Sequence, residues 1–137
     1  MSKESDFLIK NALLASKIAK KIDGELSVHG ISFTEFLIMH HLYSSSLKTM
    51  RRIELAESVG ISASGVTRLI APMQKNRIVQ KELNPRDARQ SLVKLTETGA
   101  RLYIEALESF QHRALKILEP LTSNQLEQLA LLSEKLT

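Results

Sequence analysis

The chain of 137 residues contains no cysteine. This absence excludes a disulfide framework and any metal site built on thiolates. The sequence also lacks an apolar run of the roughly 20 residues that a transmembrane helix requires, and no signal peptide opens it. We therefore expect a cytoplasmic protein that has no membrane partner.

The groupings of residues that support catalysis are also scarce. The run Ser44 to Ser46 lies near His40 and His41, which makes it the one candidate for a nucleophile beside a base. It lacks a strand-to-helix elbow, a third orienting group and a glycine-rich loop for an oxyanion or a phosphate. The sequence therefore indicates a binding protein rather than an enzyme, and we expect no cofactor.

Positive charge is present in modest excess. Lys and Arg number 19 against 15 Asp and Glu, which gives a formal net charge of +4. Such a surplus fits a polyanionic partner but is weak evidence by itself. The length predicts one domain, residues 1–137, that is large enough to bury a core.

Residues 51–70 have the spacing of a helix-turn-helix. Small or apolar side chains recur where two short helices crossing at a steep angle would pack, at Leu55, Ala56, Val59, Ile61, Val66 and Leu69. We expect Gly60 to end the first helix with a positive φ and Ser62 to cap a second helix that begins at Ala63. The small polar residues of this second helix, followed by Arg68, suit insertion into a DNA major groove.

Two strand candidates, residues 78–83 and 91–95, flank the segment Asn84-Pro85-Arg86-Asp87-Ala88-Arg89. They predict a β-hairpin with a loop of several residues. Arg86 and Arg89 at its tip suit a DNA minor groove, where narrow A·T-rich stretches attract arginine. Asp87 is expected to pair with one of these arginines through both carboxylate oxygens and to fix the direction of its guanidinium.

Amphipathic helices are predicted on both sides of this unit, at about residues 5–28 and 97–137. Capping-box signatures at Ser32 and Thr122 open two further helices. The terminal helices carry more apolar surface than one small domain can cover, and burying that surface favours association with a second copy. We predict a homodimer that places two recognition helices on half-sites about one DNA turn, roughly 34 Å, apart, on a pseudo-palindromic operator.

Four segments of the chain resemble successive signatures of the MarR family of winged helix-turn-helix regulators, namely LAESVGIS at 55–62, VTRL at 66–69, RDAR at 86–89 and LTETG at 95–99. The resemblance covers nearly the whole chain. It implies a mostly α fold with a small β-hairpin wing, in which a winged helix-turn-helix lobe at about 32–95 joins a dimerisation lobe of N- and C-terminal helices. It also implies a transcriptional repressor of a double-stranded DNA operator. The thiol-based oxidation switch of some relatives cannot operate in a chain without cysteine.

The predicted DNA-binding residues lie on the second motif helix, at the hairpin tip, and at basic positions nearby that suit phosphate contacts. They are Arg51, Arg52, Ser62, Ala63, Ser64, Gly65, Thr67, Arg68, Lys75, Arg86, Asp87 and Arg89.

The chain departs from the family pattern at four positions. Asn84 stands in place of the usual Asp, and Arg51 in place of a capping Ser or Thr. Arg77 replaces the Gly that commonly precedes the first wing strand, so we expect Asn76 to take the left-handed conformation instead. Pro72 removes a backbone hydrogen bond inside the second motif helix, which predicts a bend or early loosening there.

The resemblance further implies a pocket between the two lobes for a small aromatic or phenolic effector. The candidate lining residues are Ile18, Ile22, Phe36, His40, Tyr43 and Tyr103. The alternative is that these residues only pack the core, as apolar side chains at helical spacing ordinarily do.

Two other functions remain open for this sequence. Some members of the family sense zinc, but adjacent residues such as His40 and His41 point about 100° apart on a helix, so we predict no metal site. A winged-helix module that binds only protein is the second alternative. Salt dependence separates it from a DNA-binding protein, because DNA binding releases counterions.

Overall fold

The fold is mostly helical, with one small antiparallel sheet. The computed structural model describes residues 1–137, apart from the side chain of Ala88. Short 3-10 turns at Ser27–His29 and Ser46–Lys48 flank the second helix. The elements in chain order are α1 (Lys3–Leu26), α2 (Phe33–Ser44), β1 (Thr49–Arg51), α3 (Arg52–Val59), α4 (Ala63–Lys75), β2 (Val79–Asn84), β3 (Asp87–Leu95), α5 (Glu97–Leu118) and α6 (Ser123–Glu134).

The sheet has the strand order β1-β3-β2, and both strand pairs are antiparallel. The hairpin of β2 and β3 is the predicted wing, so the predicted fold class is confirmed. The short strand β1 was not predicted. It places Thr49 opposite Lys94 and Arg51 opposite Leu92, and thereby joins the start of α3 to the base of the wing.

The core lies between α2, the helix-turn-helix, the sheet and the N-terminal half of α5. Helix α2 is its centre, because Phe36, Ile38, Met39 and Leu42 are all buried. Further fully buried side chains come from elements packed around α2 and include Leu55, Val66, Met73, Leu95 and Ala106. Burial of these side chains from both halves of the motif holds α3 and α4 at a fixed angle to each other.

The ends of the chain lie outside this core. Every residue of 1–17 and of 119–137 is exposed, although both stretches carry many leucines. Helix α6 therefore buries no residue, and only the C-terminal part of α1 packs, through Ile22 and Leu26. Among the described residues, no helix is both long enough and apolar enough to cross a membrane.

The wing turn is shorter than predicted. The regular ladder ends with Leu83 opposite Ser91, as predicted, but after a register shift Asn84 also pairs with Asp87, so only Pro85 and Arg86 lie outside the strands. The cause is local hydrogen bonding: Asn84 Oδ1 accepts from the Arg86 N–H at 2.9 Å and Asp87 Oδ1 accepts from the Arg89 N–H at 3.0 Å. Such Asx turns reverse the chain within two residues.

The passage from α4 to the wing also differs from expectation. α4 continues through Pro72 to Lys75, so the predicted early loosening is wrong. The left-handed residue is Arg77, with φ 60°, whereas Asn76 has φ −86°. The Arg77 N–H donates to the Gln74 carbonyl and the Ile78 N–H to the Met73 carbonyl, which is a Schellman motif. Because Ile78 is buried, the left-handed position falls at Arg77.

Candidate nucleic-acid interface

The turn between α3 and α4 has the geometry that the sequence predicts. Gly60 has φ 77°, and the Ala56 carbonyl accepts from the Gly60 N–H at 2.9 Å and from the Ile61 N–H at 3.1 Å. A side chain at Gly60 would be strained in this left-handed conformation. Ala56 is buried, and its small side chain permits the close approach of α4. The predicted helix end and positive φ at Gly60 are confirmed.

The N-terminus of α4 is capped as predicted. Ser62 has an extended backbone, and its Oγ accepts from the Gly65 N–H at 3.0 Å. The same Oγ lies 3.1 Å from Ser64 Oγ. The cap defines where the helix begins and therefore which of its residues face outward.

Loss of this cap is expected to lower stability. Replacing Ser62 with alanine leaves the Gly65 N–H without its acceptor, and we expect the free energy of unfolding to fall by about 1 kcal/mol. Urea denaturation followed by circular dichroism measures the change. Ser58→Ala is the matched control, because Ser58 is exposed within α3 and alanine favours a helix there. Equal stability of the two variants would contradict the capping role.

One face of α4 is exposed and polar. Val66 and Ile70 are buried beneath it, whereas Ser62, Ala63, Ser64, Thr67 and Arg68 are exposed and Gly65 is half-buried. The structure thus brings these predicted residues together on one surface. Lys75, in the last turn of the same helix, is also exposed.

The two arginines at the start of α3 have different environments. Arg52 Nη1 donates to Thr67 Oγ1 at 3.4 Å, which places its guanidinium beside α4. Arg51 occupies the N-cap position of α3, where the family usually has a Ser or Thr. An arginine side chain has no acceptor, so α3 lacks a side-chain N-cap. Instead, the Glu54 carboxylate accepts from the Arg51 N–H at 2.9 Å and from its Nε at 3.2 Å. These contacts with Arg51 hold the pKa of Glu54 below its usual range.

The wing carries Arg86 and Arg89, both exposed. Asp87 Oδ1 accepts from the Arg89 backbone and lies 3.3 Å from its Nε, so the predicted pairing is confirmed. It uses a single carboxylate oxygen, and the bidentate geometry that we expected is wrong. The same oxygen, Asp87 Oδ1, accepts from the Arg89 backbone N–H, and this contact fixes the orientation of the carboxylate. The Arg89 side chain remains 93% exposed and is therefore accessible.

Sequence reasoning missed the structural role of Asn84. Its Nδ2 donates to Gln90 Oε1 at 2.7 Å, while its Oδ1 accepts from the Arg86 N–H. An aspartate could make the second contact but could not donate the first. The sequence did contain an indication of this role. Asn favours turns in which its side chain accepts from the backbone two residues later, and Asn84 lies two residues before Arg86.

The six candidate ligand residues lie where α1, α2 and α5 meet. Tyr103 is buried, and its ring centroid is 5.4 Å from Phe36 and 4.8 Å from Tyr43. Its hydroxyl is 2.7 Å from His40 Nδ1, and burial, which is the largest cause, raises its pKa. In the single chain, Ile18 and Ile22 also belong to or pack against the core.

The histidines have partners that do not require a metal. His29 Nε2 lies 2.8 Å from Ser109 Oγ, and His40 contacts Tyr103. The His40 and His41 rings meet edge to face at 5.2 Å, and burial together with His40 lowers the pKa of His41. In the described part of the chain, no three or more His, Asp or Glu side chains are grouped so as to hold a metal ion.

Comparison with known proteins identifies similar regulators. Residues 17–106 match the family model of the transcriptional regulators SarA/Rot. The uncharacterized HTH-type transcriptional regulator YwaE of Bacillus subtilis (strain 168) is 26% identical over 112 residues, 81% of this chain. The match spans 64% of that relative, less than two thirds of its length.

Two solved structures show the same fold. A MarR family transcriptional regulator from Streptomyces coelicolor, in complex with DNA, has a TM-score of 0.89 at 20% identity, covering 99% of this chain and 87% of its own. An organohalide-sensing transcriptional regulator with bound 2,4-dichlorophenol has a TM-score of 0.89 at 18% identity, covering 99% of this chain and 80% of its own. Identities this low establish the common architecture alone.

Proposed function

Because the chain belongs to the SarA/Rot family of transcriptional regulators and has the fold of MarR family regulators, we propose that it is a sequence-specific regulator that binds double-stranded DNA as a homodimer. The exposed polar face of α4 is the observation that carries this proposal. Members of the family regulate transcription, in agreement with the prediction that the chain is not an enzyme.

The α4 face suits the major groove. Its first turns present Ser64, Thr67 and Arg68 outward while the opposite side is buried. Arg68 can donate to the O6 and N7 of a guanine, and the hydroxyls can contact base edges or phosphates. Arg52, beside Thr67, and Arg51 are suited to phosphates that flank the groove.

The wing suits the minor groove. Arg86 lies at the tip and Arg89 follows it, with Asp87 holding the Arg89 backbone and Nε. The partly oriented Arg89 side chain would lose less rotamer freedom on entering a narrow groove. Lys75 adds a further phosphate contact near the end of α4.

A second copy would cover the ends of the chain. Both α6 and the first four turns of α1 expose several leucines each, and neither segment buries a residue in the single chain. Contiguous apolar surface of this kind marks an interface. A two-fold dimer through α1, α5 and α6 would direct both α4 helices at one pseudo-palindromic operator.

A small aromatic or phenolic ligand would act between the lobes and relieve repression. The region where α2 meets α5 supplies an exposed Tyr43 together with Tyr103 and His40. The similar organohalide-sensing regulator binds 2,4-dichlorophenol, which supports this class of ligand. A ligand there could favour one separation of the two DNA-binding lobes.

Footprinting on the DNA upstream of the protein's own gene tests the DNA-binding surface. Arg68→Ala and Arg89→Ala are each expected to weaken binding by about 1 to 3 kcal/mol, because each removes a groove contact. Lys20→Ala, on exposed α1, is the matched loss of one charge and should leave the footprint unchanged. Full protection by both arginine variants would disprove the assignment, and affinity insensitive to salt would favour a partner other than DNA.

A further inference from the structure

A solvent-open cavity of about 630 Å³ lies where the end of α4, strand β2 and the first two turns of α5 meet. None of its lining residues belongs to the proposed DNA-binding set. Its polar lining includes three cations and three neutral hydrogen-bonding side chains, Arg77, Lys81, Arg101, Gln74, Gln80 and Thr98. A volume of this size is in the range of small-molecule sites.

The three cations of this cavity lack anionic partners. Within the part of the chain that the structure describes, Arg51, Arg89 and Lys94 each have a carboxylate oxygen within 4.0 Å. No such pair involves Arg77, Lys81 or Arg101 in the same described part. Glu97 is the single carboxylate among the lining residues, so the cavity has a net positive charge. A concave surface with this charge raises the local concentration of anions.

A hydrogen bond between the loop after α4 and the start of α5 fixes the backbone near Arg77 and Arg101. The Arg77 carbonyl accepts from Thr96 Oγ1 at 2.6 Å, which ties the loop after α4 to the residue preceding α5. Arg101 follows in the second turn of α5. The guanidinium groups therefore start from backbone positions that are set before any ligand arrives. The backbone at these two residues therefore needs no reordering when a ligand binds.

We propose that this cavity binds a small ligand that carries a phosphate group. Arginine and lysine suit a phosphate because it has several acceptor oxygens and two negative charges, and the Gln and Thr side chains can donate to the remaining oxygens. The ligand would contact α4, the wing and α5 at once. This site goes beyond the proposed DNA-binding function, and its occupancy can be measured without DNA.

Titration calorimetry of the full chain with inorganic pyrophosphate at fixed ionic strength tests the proposal. We expect saturable binding of one ion per chain. Arg101→Gln should weaken it about tenfold or more, because a charge-assisted hydrogen bond is lost. Lys116→Gln is the matched control: it removes the same charge from the same helix at an exposed position about 22 Å farther along the axis. It should bind pyrophosphate as the unmodified chain does.

Three outcomes would overturn the proposal. The first is no saturable binding of pyrophosphate, and the second is an equal loss in Lys116→Gln and Arg101→Gln, which would show only a general charge effect. The third is unchanged pyrophosphate binding in Arg101→Gln combined with weaker binding to DNA, which would make the cavity a DNA phosphate contact. Thermal unfolding of each variant verifies that it folds. Because footprints of Arg68→Ala are measured independently, failure of this site is distinguishable from failure of the DNA-binding proposal.

Discussion

Replacing Gly99 with alanine is expected to destabilise the protein by about 3 kcal/mol, because the added methyl group has no space. Gly99 lies in the first turn of α5, where this helix crosses the start of the wing. A Cβ there would overlap the Ile78 carbonyl oxygen and lie 2.8 Å from Leu95 Cδ1. The Ile78 carbonyl cannot move freely, because it accepts from the Thr96 N–H and Oγ1, each at 3.0 Å. Relief of the overlap would therefore break these hydrogen bonds.

Urea denaturation measures the effect, and Gly24→Ala is the matched control. Gly24 is exposed inside α1, and a Cβ there would meet no atom within 4 Å. Because alanine favours a helix, we expect this control to gain about 0.5 to 1 kcal/mol. A Gly99→Ala protein as stable as the unmodified chain would mean that α5 does not approach the wing this closely in solution.

Placing two aspartates on α6 is expected to abolish the proposed dimer. Leu129 and Leu132 are 48% and 59% exposed in the single chain, and neither side chain contributes to its core. Leu129→Asp combined with Leu132→Asp would bury unpaired carboxylates in the interface, at a cost of several kcal/mol. The monomer should retain its fold, because α6 buries no residue. Sedimentation velocity at micromolar concentration measures the change in mass.

Operator affinity should fall along with dimerisation. Two linked half-site contacts give an advantage of about a hundredfold or more over one contact, and the monomer loses this advantage. Leu47→Asp is the control, because Leu47 is 83% exposed outside the terminal helices and Asp tolerates its left-handed φ of 56°. It should remain dimeric. A doubly substituted protein that still sediments as a dimer would place the interface elsewhere.

The elements that the sequence predicts correctly depend on short-range signals. Gly60 and Ser62 determine the turn of the motif through their own backbone and hydroxyl, and the Ser32 and Thr122 capping boxes define helix starts in the same way. The missed strand β1 has only three residues, and its partners lie more than 40 positions away in the chain. Such a strand has no periodicity that a local pattern could reveal.

The errors at the wing turn and at Arg77 have two different origins. The turn after Asn84 is tight because side-chain oxygens hold the Arg86 and Arg89 amides, a choice that the sequence alone leaves open. The left-handed residue is Arg77 because burial of Ile78 outweighs the intrinsic preference of Asn76. Local side-chain hydrogen bonds determined the first outcome, and tertiary packing determined the second.

The candidate DNA-binding face could be predicted to the level of the residues exposed on α4. The side chains that contact this face from other helices could not be predicted. The Arg52–Thr67 contact, for example, depends on the angle between α3 and α4, which the packing of the core determines. The cavity with Arg77 and Arg101 was invisible in the sequence for the same reason. These arginines are 24 positions apart, and only the crossing of α5 over the wing brings them to one cavity.

The strand β1 has a mechanical consequence. β1 pairs with β3 of the wing and is followed directly by α3. We therefore expect a displacement of the wing to displace the helix-turn-helix as well. The helix-turn-helix and the wing are therefore expected to move together as one rigid unit. In the proposed dimer, the quantity that can change is then the distance between the two helix-turn-helix units, and the proposed effector would act by changing that distance.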